Sequence, residues 1–244
     1  MDKPGHTIMI APRRVALSLL GVSLVMLVFS LIGQREYQTG DPVEKFFLDM
    51  FTREFFVNGG ANIATYWNML ILTIMTVLAL LIAFAKSTQK AGSRSGWWFL
   101  GLVFLYFAID EFCGINEKLG ALLKDLPNMQ VGTYYNWFYP VAAGLIVIIS
   151  AFLVWFYLHL DAPNRNIFPI SMSFYVLGAF RAELFSGYYA ELHGKKNMTY
   201  LLLSHAEEFV ELVGIILMIY LLLTYIAARY AEIDFIPEES KKTA

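Results

Sequence analysis

The stretch FAIDEFCGINE, residues 107–117, ends an apolar run with Asp110 and Glu111 and reaches Glu117 within two further helical turns. A second apolar run carries Arg181 and Glu183, and a third, YLLLSHAEEFVELVG, carries His205, Glu207, Glu208 and Glu211. Carboxylates and an imidazole on facing helices are the ligand set from which bundles build di-iron and di-manganese centres. Hard oxygen donors suit iron, manganese, magnesium or calcium better than copper(I). The candidate ligands of a divalent metal (iron, manganese or zinc) are therefore Asp110, Glu111, Glu117, Glu183, His205, Glu208 and Glu211, with Arg181 as their charge partner. The paired Glu-x-x-His motif of such centres is missing, since the order here is His-x-x-Glu and occurs once, from His205 to Glu208. The same residues also read as a hydrated vestibule, in which Arg181 ties two carboxylates and the others are protonated or wet.

Other titratable groups carry less. Glu191 and His193 read as polar residues at the end of a helix, His159 lies at the opposite interface, and His6 lies in the N-terminal tail. Cys113 is the single cysteine, which excludes an intrachain disulfide framework and a Cys-rich metal site. The sequence has no GxSxG elbow, no HExxH, no CxxC, and no phosphate- or dinucleotide-binding glycine loop. No lysine sits near the middle of a span, where it could hold a retinal. The NMT at 197–199 matches the glycosylation pattern but abuts a span and reads as chance.

The elements that must position these groups are membrane helices. The 244 residues are 58% hydrophobic and 16% charged, with a mean hydropathy of +0.56, whereas soluble domains have about 45–50% apolar and about 25% charged residues. Windows of about 20 residues, the length that crosses about 30 Å of hydrocarbon, predict six spans at 15–33, 64–86, 96–116, 137–160, 167–191 and 199–228. The first has no small-x-small cleavage site and reads as a retained helix rather than a signal peptide. With the N-terminus inside, ten Lys and Arg flank the inner ends and seven the outer ones, a bias that puts both termini in the cytoplasm. Trp97 and Trp98, the aromatics from Tyr134 to Tyr139, and the Tyr188–Tyr189 pair mark span ends.

The expectation is thus an all-α integral membrane bundle of six helices over residues 1–230, followed by a polar cytoplasmic tail at 231–244. In the first outer loop, DPVEKFFLDMFTREFF sets Val43, Phe47, Met50, Phe51 and Phe55 at helical spacing, as in a short amphipathic helix lying on the membrane or capping the bundle. NGGAN is a turn before the second span. Gly178, Ala182 and Ser186 form a small-residue ridge on the fifth span that permits close helix approach.

At 1.5 Å per residue, Glu111, Arg181 and Glu183 fall about 20–22 Å from the inner side, and His205, Glu208 and Glu211 about 8–17 Å from the outer side. All lie in the outer half. A carboxylate facing lipid costs about 2.5–3.5 kcal/mol, so Asp110, Glu111, Glu183, Glu207, Glu208 and Glu211 must turn inward. There they need positive partners: protons, a metal ion or a cationic ligand.

Three stretches, FLYFAIDEFCGINE, GGANIATYW and HAEEFVELVG, resemble a pattern of uncharacterised bacterial multi-pass membrane proteins. In these an apolar helix ends Asp-Glu, five residues, Glu, and the last helix is rich in glutamate. Asn116 stands where histidine is common in that pattern. The resemblance implies a bacterial inner-membrane protein and names no activity. Three functions fit: a metalloenzyme acting on a lipid-like substrate, a proton or cation transporter, and an accessory subunit among other membrane subunits. The lipid bilayer is the partner in each. A net charge of −2 gives no basic field for nucleic acid.

Overall fold

The computed structural model describes residues 11–39, 52–56, 62–85, 91–115, 118, 138–160, 165–178, 183–194 and 197–229, with the side chains of 35–39, 91–93, 138–146, 149, 183–185, 187, 191 and 229 left aside. The described residues are helical and contain no strand. The helices are α1 (Pro12–Thr39), α2 (Ile63–Phe84), α3 (Ala91–Cys113), α4 (Phe138–His159), α5 (Ile167–Val176), α6 (Glu183–His193) and α7 (Met198–Arg229).

Among the described residues four helical stretches are long and apolar enough to cross a membrane: Pro12–Gln34, Ile63–Phe84, Arg94–Cys113 and Met198–Ala228. The protein is therefore an integral membrane protein. The expected fourth span coincides with α4, whose described apolar part, Ser150–His159, is shorter than a span. Of the expected fifth span, α5, a π turn at 177–178 and α6 are described, and residues 179–182 between them lie outside the described residues. The 32 residues of α7 extend about 48 Å, well beyond about 30 Å of hydrocarbon.

Local chemistry fixes the helix ends. The Asn62 side chain accepts from the Thr65 amide at 2.9 Å and caps α2. Its Nδ2 donates to the carbonyls of Arg53 (2.9 Å) and Phe56 (2.7 Å), which moors the helical turn at 52–55 to the start of α2. Phe55 meets Phe29 of α1 edge-on at 5.6 Å. This turn is the only described part of the expected amphipathic helix; Val43, Phe47, Met50 and Phe51 lie outside the described residues. Asn62→Asp keeps the cap acceptor and loses both donated bonds, so it is expected to cost about 2 kcal/mol, read as a lowered unfolding midpoint in detergent. An unchanged midpoint would mean that the mooring contributes nothing.

α3 stops where Gly114 takes φ 58 and its amide bonds back to the Asp110 carbonyl at 2.7 Å. Asp110 and Glu111 consequently stand in the last turn of the helix. Asn197 caps α7 by accepting from the Tyr200 amide at 2.9 Å, and its Nδ2 donates to the Gly194 carbonyl at 2.7 Å. That local role accounts for an asparagine at the NMT.

α7 packs against α1, α2, α5 and α6, while α3 lies on α2, and α4 touches α3 and α5. Apolar contacts between helices have little advantage over contacts with lipid, so small residues and polar clasps matter more than in water. α1 uses two clasps: Trp67 Nε1 donates to Ser23 Oγ at 2.9 Å, and Ser30 Oγ meets His205 Nε2 at 2.8 Å. α5 and α7 cross through glycines. A Cβ on Gly178 would stand 2.7 Å from the Glu211 amide nitrogen, and one on Gly214 would stand 2.5 Å from that of Tyr175. Ser171 Oγ donates to the Gly214 carbonyl at 2.8 Å across the same crossing. The interior away from the acidic residues is filled by Trp97, Phe104, Phe156, Phe168, Met218, Ile219 and Tyr225, with Trp97 against Phe156 at 4.9 Å and Tyr225 at 5.1 Å.

Candidate functional site

Glu111 of α3 and Glu208 of α7 face the same neighbour on α2. Asn68 Nδ2 lies 3.3 Å from Glu111 Oε1 and 3.5 Å from Glu208 Oε2. These contacts are long for hydrogen bonds and individually weak; their meaning is that one amide, with two donor hydrogens, stands between two carboxyl groups from different helices. Glu111, Glu207 and Glu211 all lie close enough to act electrostatically on Glu208. Asp110, Glu111, Glu207, Glu208 and Glu211 are each half-buried, and Asn68 likewise.

Tyr175 adds a phenol from α5. It is buried, its ring packs on Phe107 at 5.3 Å, and it lies within electrostatic reach of Glu211, Glu111 and Asp110. The glycine crossing is what brings it there, because Gly214 lets the backbone of α5 lie directly on α7 beside Glu211. Ser186 of α6 donates to Glu207 Oε2 at 3.1 Å.

These groups share one level. Asn68 stands about 24 Å along α2 from Phe84, Glu111 about 26 Å along α3 from Arg94, and Glu208 about 32 Å along α7 from Arg229. These positions lie nearer the Ile63, Cys113 and Met198 ends of their helices than the opposite ends.

His205 stands differently from the expectation of a metal ligand. Its Nδ1 bonds to the Leu201 carbonyl at 2.8 Å, so that nitrogen carries a hydrogen, and its Nε2 pairs with Ser30. Both ring nitrogens are engaged, and the imidazole serves the α1–α7 seam. Among the described residues no group of three or more His, Cys, Asp and Glu side chains is placed to hold a metal ion. Arg181 and Glu117 lie outside the described residues, and Glu183 is described only as the first residue of α6.

Sequence reasoning passed over Asn68, Tyr175 and Ser30. The signal for Asn68 was available in TYWNMLIL, where a lone amide interrupts an apolar span, since polar side chains within spans mark contacts with other helices. Tyr175 and Ser30 had no such signal, because phenols and hydroxyls are common in membrane helices.

The chain matches the family described as Domain of unknown function (DUF8692) over residues 15–225, which takes in all of α2 to α6 and the greater part of α1 and α7. No curated protein and no solved structure matches it.

Proposed function

From a chain that belongs to the DUF8692 family, whose description names no activity, we propose a one-sided proton-binding membrane protein, built on Glu111, Glu208 and the Asn68 amide between them. The observation that carries this reading is that amide, set within 3.5 Å of carboxyl oxygens from two other helices. Carboxyl groups brought this close repel one another when all are ionised, so the layer is stable only with part of its charge cancelled. Protons do this without the fixed ligand geometry that a metal requires. The packed aromatic interior around Trp97, Phe156 and Tyr225 favours loading from the near rim over conduction across the membrane. A lipid-like substrate arriving at that rim would meet carboxyl groups able to give and take a proton, with Asp110, Glu211 and the Tyr175 phenol beside them.

The bundle in this reading has six spans, α4 forming the fourth and α5 with α6 the fifth. Both termini lie in the cytoplasm, residues 1–230 are one domain, 231–244 is a tail, and the acidic layer faces outward from a bacterial inner membrane. From the sequence alone, Glu117, Glu183 and Arg181 are proposed to belong to the same site.

Infrared difference spectroscopy of purified protein between about pH 5 and pH 8 tests it. A protonated-carboxyl band that grows on acidification and disappears in Glu208→Gln is expected. Absence of any such band in the parent protein overturns proton binding; about one equivalent of bound iron, manganese or zinc in that same sample would put the metal in its place.

A further inference from the structure

On the side of α1 turned away from α7 runs an apolar groove of about 490 Å³, lined by Ser18, Gly21, Val22, Val25, Phe29 and the ring of Phe55. The residues of α1 that pack inward, Ser23, Leu27 and Ser30, lie on the opposite face. Gly21 makes the groove: a Cβ there would meet nothing within 4 Å. Phe55, edge-on to Phe29 at 5.6 Å, walls the upper end.

The lower end carries charge. Arg14 precedes Ser18 by one turn on the same face, since positions 14, 18, 21, 25 and 29 follow the three- and four-residue spacing of a helix stripe. Arg13 and Arg14 are both exposed, in the first turn of an apolar span that starts at Pro12. There the long side chains reach the headgroup level, and the positive end of the helix dipole adds to their field. From Ser18 to Phe29 the groove rises about 17 Å, comparable with one leaflet's half of about 30 Å of hydrocarbon.

We propose that this groove holds one acyl chain of an anionic phospholipid whose phosphate sits on Arg14 and Arg13. A second apolar transmembrane helix would cover the groove and bring no anion of its own to those guanidinium groups. A zwitterionic lipid would bring its own cation beside them. An anionic lipid satisfies the apolar length and the charge together, and the inference does not depend on the acidic layer at the other rim.

Native mass spectrometry of the full-length protein, released from detergent micelles doped with dioleoyl-phosphatidylglycerol or with dioleoyl-phosphatidylcholine, reads the outcome. One phosphatidylglycerol is expected to stay on the monomer while phosphatidylcholine is lost. Arg14→Gln is expected to weaken retention about fivefold, in line with the worth of one basic residue at a membrane surface. Gly21→Leu, whose Cβ has open space around it and whose side chain occupies the groove, is expected to weaken it about tenfold or more through lost chain contacts. Equal retention of the two lipids, or phosphatidylglycerol undiminished in Gly21→Leu, overturns the proposal. So does a dimer in the parent protein that Gly21→Leu dissociates, which would assign the groove to a second copy of the chain.

Discussion

Gly214→Ala is expected to destabilise the protein by about 2–3 kcal/mol, although alanine is the better helix former. The added carbon would stand 2.5 Å from the Tyr175 nitrogen, 2.9 Å from its Cα and 3.0 Å from the Ser171 carbonyl oxygen. All three are backbone atoms, so a rotamer change cannot relieve the contact; α5 has to move off α7. That movement lengthens the Ser171–Gly214 hydrogen bond, 2.8 Å in the native packing, and carries Tyr175 away from Glu211. Gly21→Ala is the matched control, because open space surrounds that position, and it is expected to be neutral or to stabilise by about 0.5–1 kcal/mol. The comparison is made by thermal unfolding in one detergent. Equal midpoints for the two variants would show that the crossing is loose enough to absorb a methyl group, and the placement of Tyr175 would then need another cause. Gly178→Ala provides a second probe of the same crossing, with its Cβ 2.7 Å from the Glu211 nitrogen.

The contrast between Gly178 and Gly214 shows what a sequence of this kind discloses. Gly178 belongs to a ridge of small residues at four-residue spacing, a pattern that announces close packing, and the structure sets it on the Glu211 backbone. Gly214 stands alone between leucine, valine and isoleucines, and only its partner on α5 explains it. Hydropathy and length identified the long apolar helices, since they depend on one stretch of chain and one solvent. The change from α-helix to a π turn after Val176 escaped, because FYVLG stays apolar there and contains no proline. Side-chain partnership escaped most often. His205 stands one turn from Glu208 and reads as its co-ligand, yet it bonds Ser30, on a helix 175 positions away in the chain. Helical phase tells which residues share a stripe; which helix covers that stripe is a tertiary fact.

Asn68→Leu is expected to cost about 2–3 kcal/mol, and the manner in which Glu208→Gln alters that cost separates a shared amide from a bystander. Leucine keeps the volume and helix propensity of the site while removing both donor hydrogens, so Glu111 and Glu208 lose the group between them in surroundings where an unmet carboxyl oxygen is expensive. Glu208→Gln alone is expected to be neutral or mildly stabilising, since an amide relieves repulsion from Glu111, Glu207 and Glu211 and carries its own donor. The same donor can take over the lost role when Asn68 is leucine. The double variant is therefore expected to be more stable than the sum of the single changes by about 1–2 kcal/mol, well outside the scatter of independent sites. Additive changes would mean that Glu111 and Glu208 do not share Asn68, and the 3.3 Å and 3.5 Å approaches would then be neighbours without coupling. Asn68→Asp reverses the logic. It adds a further carboxyl group where a donor stood, so a protein that survives this change must bind an extra proton or cation in compensation. Its stability is accordingly expected to rise on acidification, because protonation removes the added repulsion only in the folded layer, whereas the unfolded chain keeps its carboxyl groups apart.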